Sequence, residues 1–211
     1  MNKNIVVQKY GGTSIGDVEK LKLIAKKIVD KKTEGFSPVV VVSAMGKTTD
    51  ELVDMSEKVT FNNVKPDLRE KDTLLSTGEL VSATLLAMSI KSLNFDVISL
   101  SGQQAGIFTD QIHGSARISD INTERMMKEI NEDKILIIAG FQGINNQGDI
   151  TTLGRGGSDT TAVALAAALS ADVCEIFTDV EGIYTTDPRI VKQARKLEYI
   201  NYDDMLEMAV L

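Results

Sequence analysis

Five short runs rich in β-branched residues, at 5–8, 39–43, 95–100, 134–139 and 173–178, alternate with stretches whose apolar residues recur at helical spacing. No other feature limits the fold as much. Such runs read as strands buried on both faces, and strands separated by helices line up in parallel with the helices packed over them. The first helical pattern is the clearest. Val18, Leu21, Ile24, Ala25, Ile28 and Val29 share a face, Asp17 and Glu19 stand at its start, and Lys31, Lys32 and Gly35 close it. Ser76-Thr77-Gly78-Glu79 matches a capping box, with Glu79 at the third helical position, ahead of the run 80–93. That run is apolar nearly all round and predicts a buried helix. A third helix is predicted from about Ser158 through Thr161, Ala162, Val163, Ala164, Leu165 and Leu169, and a last one over 202–211. The expectation is an α/β three-layer sandwich, a mostly parallel central sheet covered by helices on both faces.

Composition narrows the partners. Of 211 residues 43% are hydrophobic and 25% charged, ordinary for a soluble globular chain of one domain. A net charge of -7 leaves no dense basic face, so neither nucleic acid nor an anionic membrane surface is an expected partner. Residues 1–10 have no long apolar core, and no stretch of the sequence approaches the roughly 18 apolar residues of a membrane span. These traits predict a cytoplasmic protein with small-molecule ligands. Cys174, the single cysteine, lies in an apolar run and reads as core rather than as a nucleophile. The single histidine, His113, has no partner cluster in the sequence and reads as a loop or structural residue rather than a metal ligand.

Ligands of open parallel sheets gather at the carboxyl ends of the strands, and the glycines of this chain fall there. After the first strand comes Lys9-Tyr10-Gly11-Gly12-Thr13-Ser14. After Leu153 comes Gly154-Arg155-Gly156-Gly157-Ser158-Asp159, opening directly into a helix. Glycines let backbone N–H groups approach an anion, and a helix start adds partial positive charge. One such turn alone is equally well an ordinary tight turn. Two of them, each with a basic residue, suit a nucleotide polyphosphate. Gly46-Lys47-Thr48 resembles the end of a Walker A loop, but the shaping glycine is replaced by Val41. Dinucleotide-fingerprint spacing and the protein-kinase motifs are missing from the sequence as well.

These turns, together with Ser43-Ala44-Met45-Gly46-Lys47-Thr48-Thr49-Asp50-Glu51-Leu52, Ser76-Thr77-Gly78-Glu79, Gly140-Phe141-Gln142-Gly143 and Thr178-Asp179-Val180-Glu181-Gly182-Ile183-Tyr184, resemble the aspartokinases in order and spacing. The likeness covers essentially the whole chain and implies the amino-acid-kinase fold. It implies ATP, with magnesium brought by it, and L-aspartate as substrates. By that resemblance Lys9 stabilises the transferring phosphoryl group and Asp159 lies beside it in the catalytic centre, orienting Lys9 rather than removing a proton. Arg155 suits a substrate carboxylate and Glu79 the substrate ammonium, with Thr49, Phe141 and Ser158 at the same substrate. Lys9, Gly11, Gly12, Ser43, Gly154, Gly156, Thr178, Asp179, Tyr184 and Arg189 fall on the nucleotide side. No protein-held metal site is implied.

Plainer readings stand beside these. Glu79 also fits a simple helix cap, Arg155 a surface ion pair, Asp159 a first-turn carboxylate, and Thr185-Thr186-Asp187-Pro188-Arg189 an ordinary turn. Aspartokinases continue beyond the point where 202–211 ends, through more kinase domain into regulatory domains. The resemblance therefore implies one catalytic domain over 1–211, truncated at its C-terminal end and without a regulatory domain. A homo-oligomer, a separate regulatory chain, and a fragment that binds nucleotide but needs a missing segment or partner chain for turnover all remain open.

Overall fold

The computed structural model describes residues 4–62, 64–180 and 182–210. It holds two compact units, Met1–Thr178 and Asp179–Leu211. In the first, β1 (Asn4–Tyr10), β2 (Phe36–Val42), β3 (Val97–Leu100), β6 (Ile135–Ala139) and β9 (Val173–Phe177) form a sheet in the order β3-β6-β2-β1-β9. All its pairings are parallel, with Val39 opposite both Val7 and Leu136. Successive side chains point to opposite faces, so each central strand feeds two cores. Val39, Val41, Leu136 and Ile138 pack with α4 (Glu124–Asn131) and α5 (Gly157–Ala168). Val40, Val42, Ile135 and Ile137 pack with α1 (Val18–Thr33) and α3 (Leu68–Lys91). Each fully buried aliphatic side chain contributes about 1.5–3 kcal/mol, which is why uninterrupted β-branched runs can only sit here.

Burial on both faces holds for β1, β2 and β6 but not at the sheet edges. Val173 and Ile176 of β9 are 41% and 43% exposed, because an edge strand has fewer neighbours to cover it. Cys174 on this strand is half-buried against the α4–α5 core, and burial pushes its thiol pKa up.

A second, mixed sheet is formed by β4 (Ile107–Thr109), β5 (Ile118–Ile121), β7 (Gln142–Ile144) and β8 (Ile150–Thr152), in the order β5-β4-β7-β8. Among the described residues the remaining helices are α2 (Thr48–Lys58) in the first unit and α6 (Tyr202–Val210) in the second.

The first helix forms as its sequence predicts, with Asp17 accepting from Lys20 N at 2.8 Å and Gly35 at φ +93° beyond its end. The expected capping box at Ser76 is overturned. The helix α3 begins eight residues earlier, capped by Asp67 accepting from Glu70 N at 3.1 Å. Ser76 donates instead to Thr73 O, within a continuing helix. Nor is α3 buried all round, for Val81 and Met88 are 53% and 62% exposed. It is also long and apolar enough, by length and composition, to cross a membrane, contrary to the sequence reading. Half of its apolar window is buried inside the fold, and it carries the buried carboxylates Asp72 and Glu79. Those are the traits of a core helix.

Candidate active site

Lys9, near the end of β1, is only 8% exposed, yet its Nζ lies 2.8 Å from Asp159 Oδ1. A Cβ on Gly11 would come within 3.5 Å of that ammonium. Gly12 has no room for a side chain at all, since a Cβ there would sit 2.6 Å from Ala44 O. Gly46 N donates to Gly12 O at 3.0 Å, so the turns after β1 and β2 pack backbone against backbone.

The second glycine-rich turn is forced by conformation. Gly154 and Gly156 have φ of 75° and 72°, and Gly156 is the N-cap of α5. Asp159, the third residue of that helix, therefore answers both the helix N-terminus and Lys9. Arg155, between the glycines, is exposed and makes no ion pair among the described residues. Phe141 is held at φ 68°, its N donating to Thr161 Oγ1 at 3.1 Å. Its ring occupies the space a Cβ on Gly157 would need, 2.8 Å away.

Glu79 is 4% exposed and comes from the middle of α3. Its Oε1 accepts from Ala44 N at 3.1 Å, while the buried Oε2 has no partner. Burial raises its pKa to about 7, against the smaller opposing effect of backbone hydrogen bonds. Gly78 permits the close approach, since a Cβ there would meet Ala44 Cβ at 2.9 Å. Glu79 is thus no helix cap.

Lys9, Ser43, Thr49, Glu79 and Phe141 line one cleft of about 620 Å³. Gly154, Arg155, Gly156, Ser158 and Asp159 line it too. Thr178 lines a different cavity, with Tyr10, Phe177 and Lys20, where the Tyr10 and Phe177 rings stack 4.7 Å apart.

Asp179, Tyr184 and Arg189 belong to the second unit, and Glu181 of the same motif lies outside the described residues. Tyr184 pairs with Lys196 in an isolated antiparallel bridge. Asp187 holds Arg189 through Nε at 3.0 Å and Nη2 at 2.7 Å, which depresses the Asp187 pKa to about 2. Its carbonyl accepts from Ile190 N and Val191 N, so this stretch is the turn that Asp-Pro predicts. Tyr184 and Arg189 share a cavity of about 730 Å³ within this unit.

A family model described as the amino acid kinase family matches residues 4–210. The chain belongs to the amino acid kinase family. It is 56% identical to an aspartokinase of Bacillus sp. (strain MGA3), over 98% of this chain and 50% of that protein. The chain spans about half the length of the curated relatives it matches. Among solved structures, aspartate kinase from Synechocystis superposes with a TM-score of 0.83 at 48% identity, covering 97% of this chain and 33% of that one. E. coli aspartokinase III in complex with aspartate and ADP gives 0.86 at 28% identity, covering 98% and 56%.

For this amino acid kinase, sequence reasoning missed a buried group behind the cleft. Asp72 on α3 is bound by His113, Gly114 and Thr152, and Gly114 itself lines the cleft. No local signal marks Asp72, which stands in the polar first half of its helix. His113, read from the sequence as without a partner, pairs through Nδ1 with Asp72 Oδ2 at 2.8 Å. Asp50 and Val53 of α2 also line the cleft, next to the expected Thr49.

Proposed function

We propose that residues 1–211 act as the catalytic domain of an aspartokinase, converting L-aspartate and ATP to L-aspartyl 4-phosphate and ADP. The observation that carries this reading is one cleft holding both signs of charge in the right chemistry. Glu79, with a buried oxygen unpartnered among the described residues, suits the α-ammonium, and Arg155, without an ion pair among them, suits the α-carboxylate. Thr49, Phe141 and Ser158 line the same cleft.

The side-chain carboxylate of aspartate, with a reference pKa near 3.9, is already ionised at neutral pH. Its oxygen attacks the γ-phosphorus, the bond to the β–γ bridging oxygen breaks, and ADP leaves with that electron pair. No general base is needed, so the protein's task is charge control. Lys9 meets the charge on the transferring phosphoryl group, and Asp159 holds Lys9 in place. Gly11, Gly12, Gly154 and Gly156 bring backbone donors to the phosphates. We assign Ser43, Thr178, Asp179, Tyr184 and Arg189 to ATP on the resemblance to aspartokinases.

Magnesium enters as part of the nucleotide substrate, since Mg²⁺ keeps water and substrate phosphates as its main ligands. It lowers the repulsion between the phosphates and an anionic nucleophile. The setting is cytoplasmic, and the product serves the synthesis of lysine, threonine and methionine.

The test is ADP release with magnesium and ATP, comparing L-aspartate, L-glutamate and no acceptor, with the acyl phosphate trapped by hydroxylamine. Aspartate-dependent hydroxamate is the expected result. Equal turnover with glutamate, or none with any acceptor while ATP still binds, would refute the reading for this chain.

A further inference from the structure

Asp72 is a carboxylate 1% exposed, seven residues before Glu79 on the same buried face of α3. Its oxygens gather groups from two other segments. Gly114 N donates to both, at 3.1 and 3.0 Å. The Thr152 hydroxyl donates to Oδ1 at 2.5 Å, and His113 Nδ1 lies 2.8 Å from Oδ2. An ionised carboxylate is acceptor-only, which matches a site crowded with donors.

Both segments continue into the cleft. Gly114 lines it, and Gly114 O lies 3.7 Å from where a Cβ on Gly154 would stand. Thr152 ends β8 two residues before Gly154, and its carbonyl accepts from Ala116 N at 2.8 Å. The loop around 113–116 and the strand that launches Gly154-Arg155 are therefore tied to one another and, through Asp72, to α3.

We propose that Asp72 is a positioning residue for the acceptor amino acid, fixing from one end of α3 how far Arg155 stands from Glu79 two turns along. This rests on the assignment of Glu79 and Arg155 to the acceptor. Asparagine at 72 would keep one acceptor for the fixed Gly114 N–H, and the Thr152 hydroxyl and the His113 ring can adapt to its amide. Alanine would keep nothing.

The test uses two readouts. In Asp72→Ala the KM for the acceptor rises about 10–100-fold, as expected when binding groups move by an ångström or less, while that for ATP rises clearly less, since only Gly154 and Gly156 of its phosphate contacts lie on the displaced turn. Asp72→Asn shows a smaller rise, Thr152→Val behaves similarly, and Thr152→Ser restores the wild-type value. Hydrogen exchange, which does not depend on the identity of the acceptor, should quicken at 110–117 and 153–157 and stay unchanged in β1 and β2. Unchanged exchange there, or a parallel rise of both KM values, overturns the proposal. If wild-type protein ignores aspartate but the exchange pattern appears, the functional reading fails while the role of Asp72 in placing Arg155 stands. Should Asp72→Ala not fold, Asp72→Asn and Thr152→Val decide the same question.

Discussion

Lys9 Nζ stands 2.8 Å from Asp159 Oδ1, joining the end of β1 to the first turn of α5 across the mouth of the sheet. The pair is asymmetric, with a Lys9 side chain 11% exposed and an Asp159 side chain 47% exposed. Removing the lysine thus leaves a carboxylate that water can solvate, and the fold should survive. Lys9→Ala is expected to lower kcat by about 100–1000-fold, the cost of losing one preorganised charge at a transferring phosphoryl group. Its thermal midpoint should stay near that of the wild type. An active Lys9→Ala enzyme would sink the mechanism.

Arg155 offers the opposite dissection. It is exposed and has no protein ion partner among the described residues, so its removal breaks no internal ion pair there. Arg155→Ala should raise the KM for aspartate about 10–100-fold, the loss expected for a charged hydrogen bond, while calorimetric ATP binding hardly changes. A matching loss of ATP affinity would move Arg155 to the nucleotide.

Glu79 gives the site its pH dependence. Buried with a pKa of about 7, it is largely protonated just below neutrality and charged above it. A carboxylate must be ionised to hold an ammonium, so aspartate affinity should improve as pH rises from 6 to 8. For stability the sign is reversed. The folded-state pKa lies above the ordinary value of 4.5, so the folded state holds its proton longer than the unfolded one, and stability declines as pH rises from about 4.5 to 7. Glu79→Gln keeps an oxygen for Ala44 N, and at pH 8 it should be more stable than wild type by as much as roughly 3 kcal/mol. It should also show a high, pH-independent KM for aspartate. A KM for wild type that is flat between pH 6 and 8 would remove Glu79 from the ammonium site.

The parallel sheet was legible because its three buried central strands must be written in apolar β-branched residues and its edge strands keep much of that pattern, and 135–139 can hardly be anything else. The second sheet was not, since strands of three or four residues such as Gln142–Ile144 are too short to show a period. The glycine turns of the cleft were legible because Gly154 and Gly156 need positive φ, a demand that stays visible in one letter. Asp72 was invisible because its partners lie 41, 42 and 80 residues away. Only the folded chain brings them together.

The start of α3 failed for a different reason. Ser-x-x-Glu at 76–79 has the letters of a capping box but lies inside a helix, where Glu79 turns to Ala44 N instead of its own first turn. The working cap is Asp67, whose carboxylate accepts from Glu70 N, with Glu70 itself acidic in the first turn. The polar residues of 69–73 hid that start from any search for an apolar run. Asp67→Ala should therefore cost about 1 kcal/mol of stability, the usual loss for an N-cap acid, and leave the KM for aspartate untouched. Ser76→Ala should cost less, because the Ser76 hydroxyl bonds only to Thr73 O one turn back in the same helix, a carbonyl already engaged by the helix itself. Chemical denaturation of the two variants decides between these starts, and a larger loss at Ser76 than at Asp67 would return the helix start to residue 76.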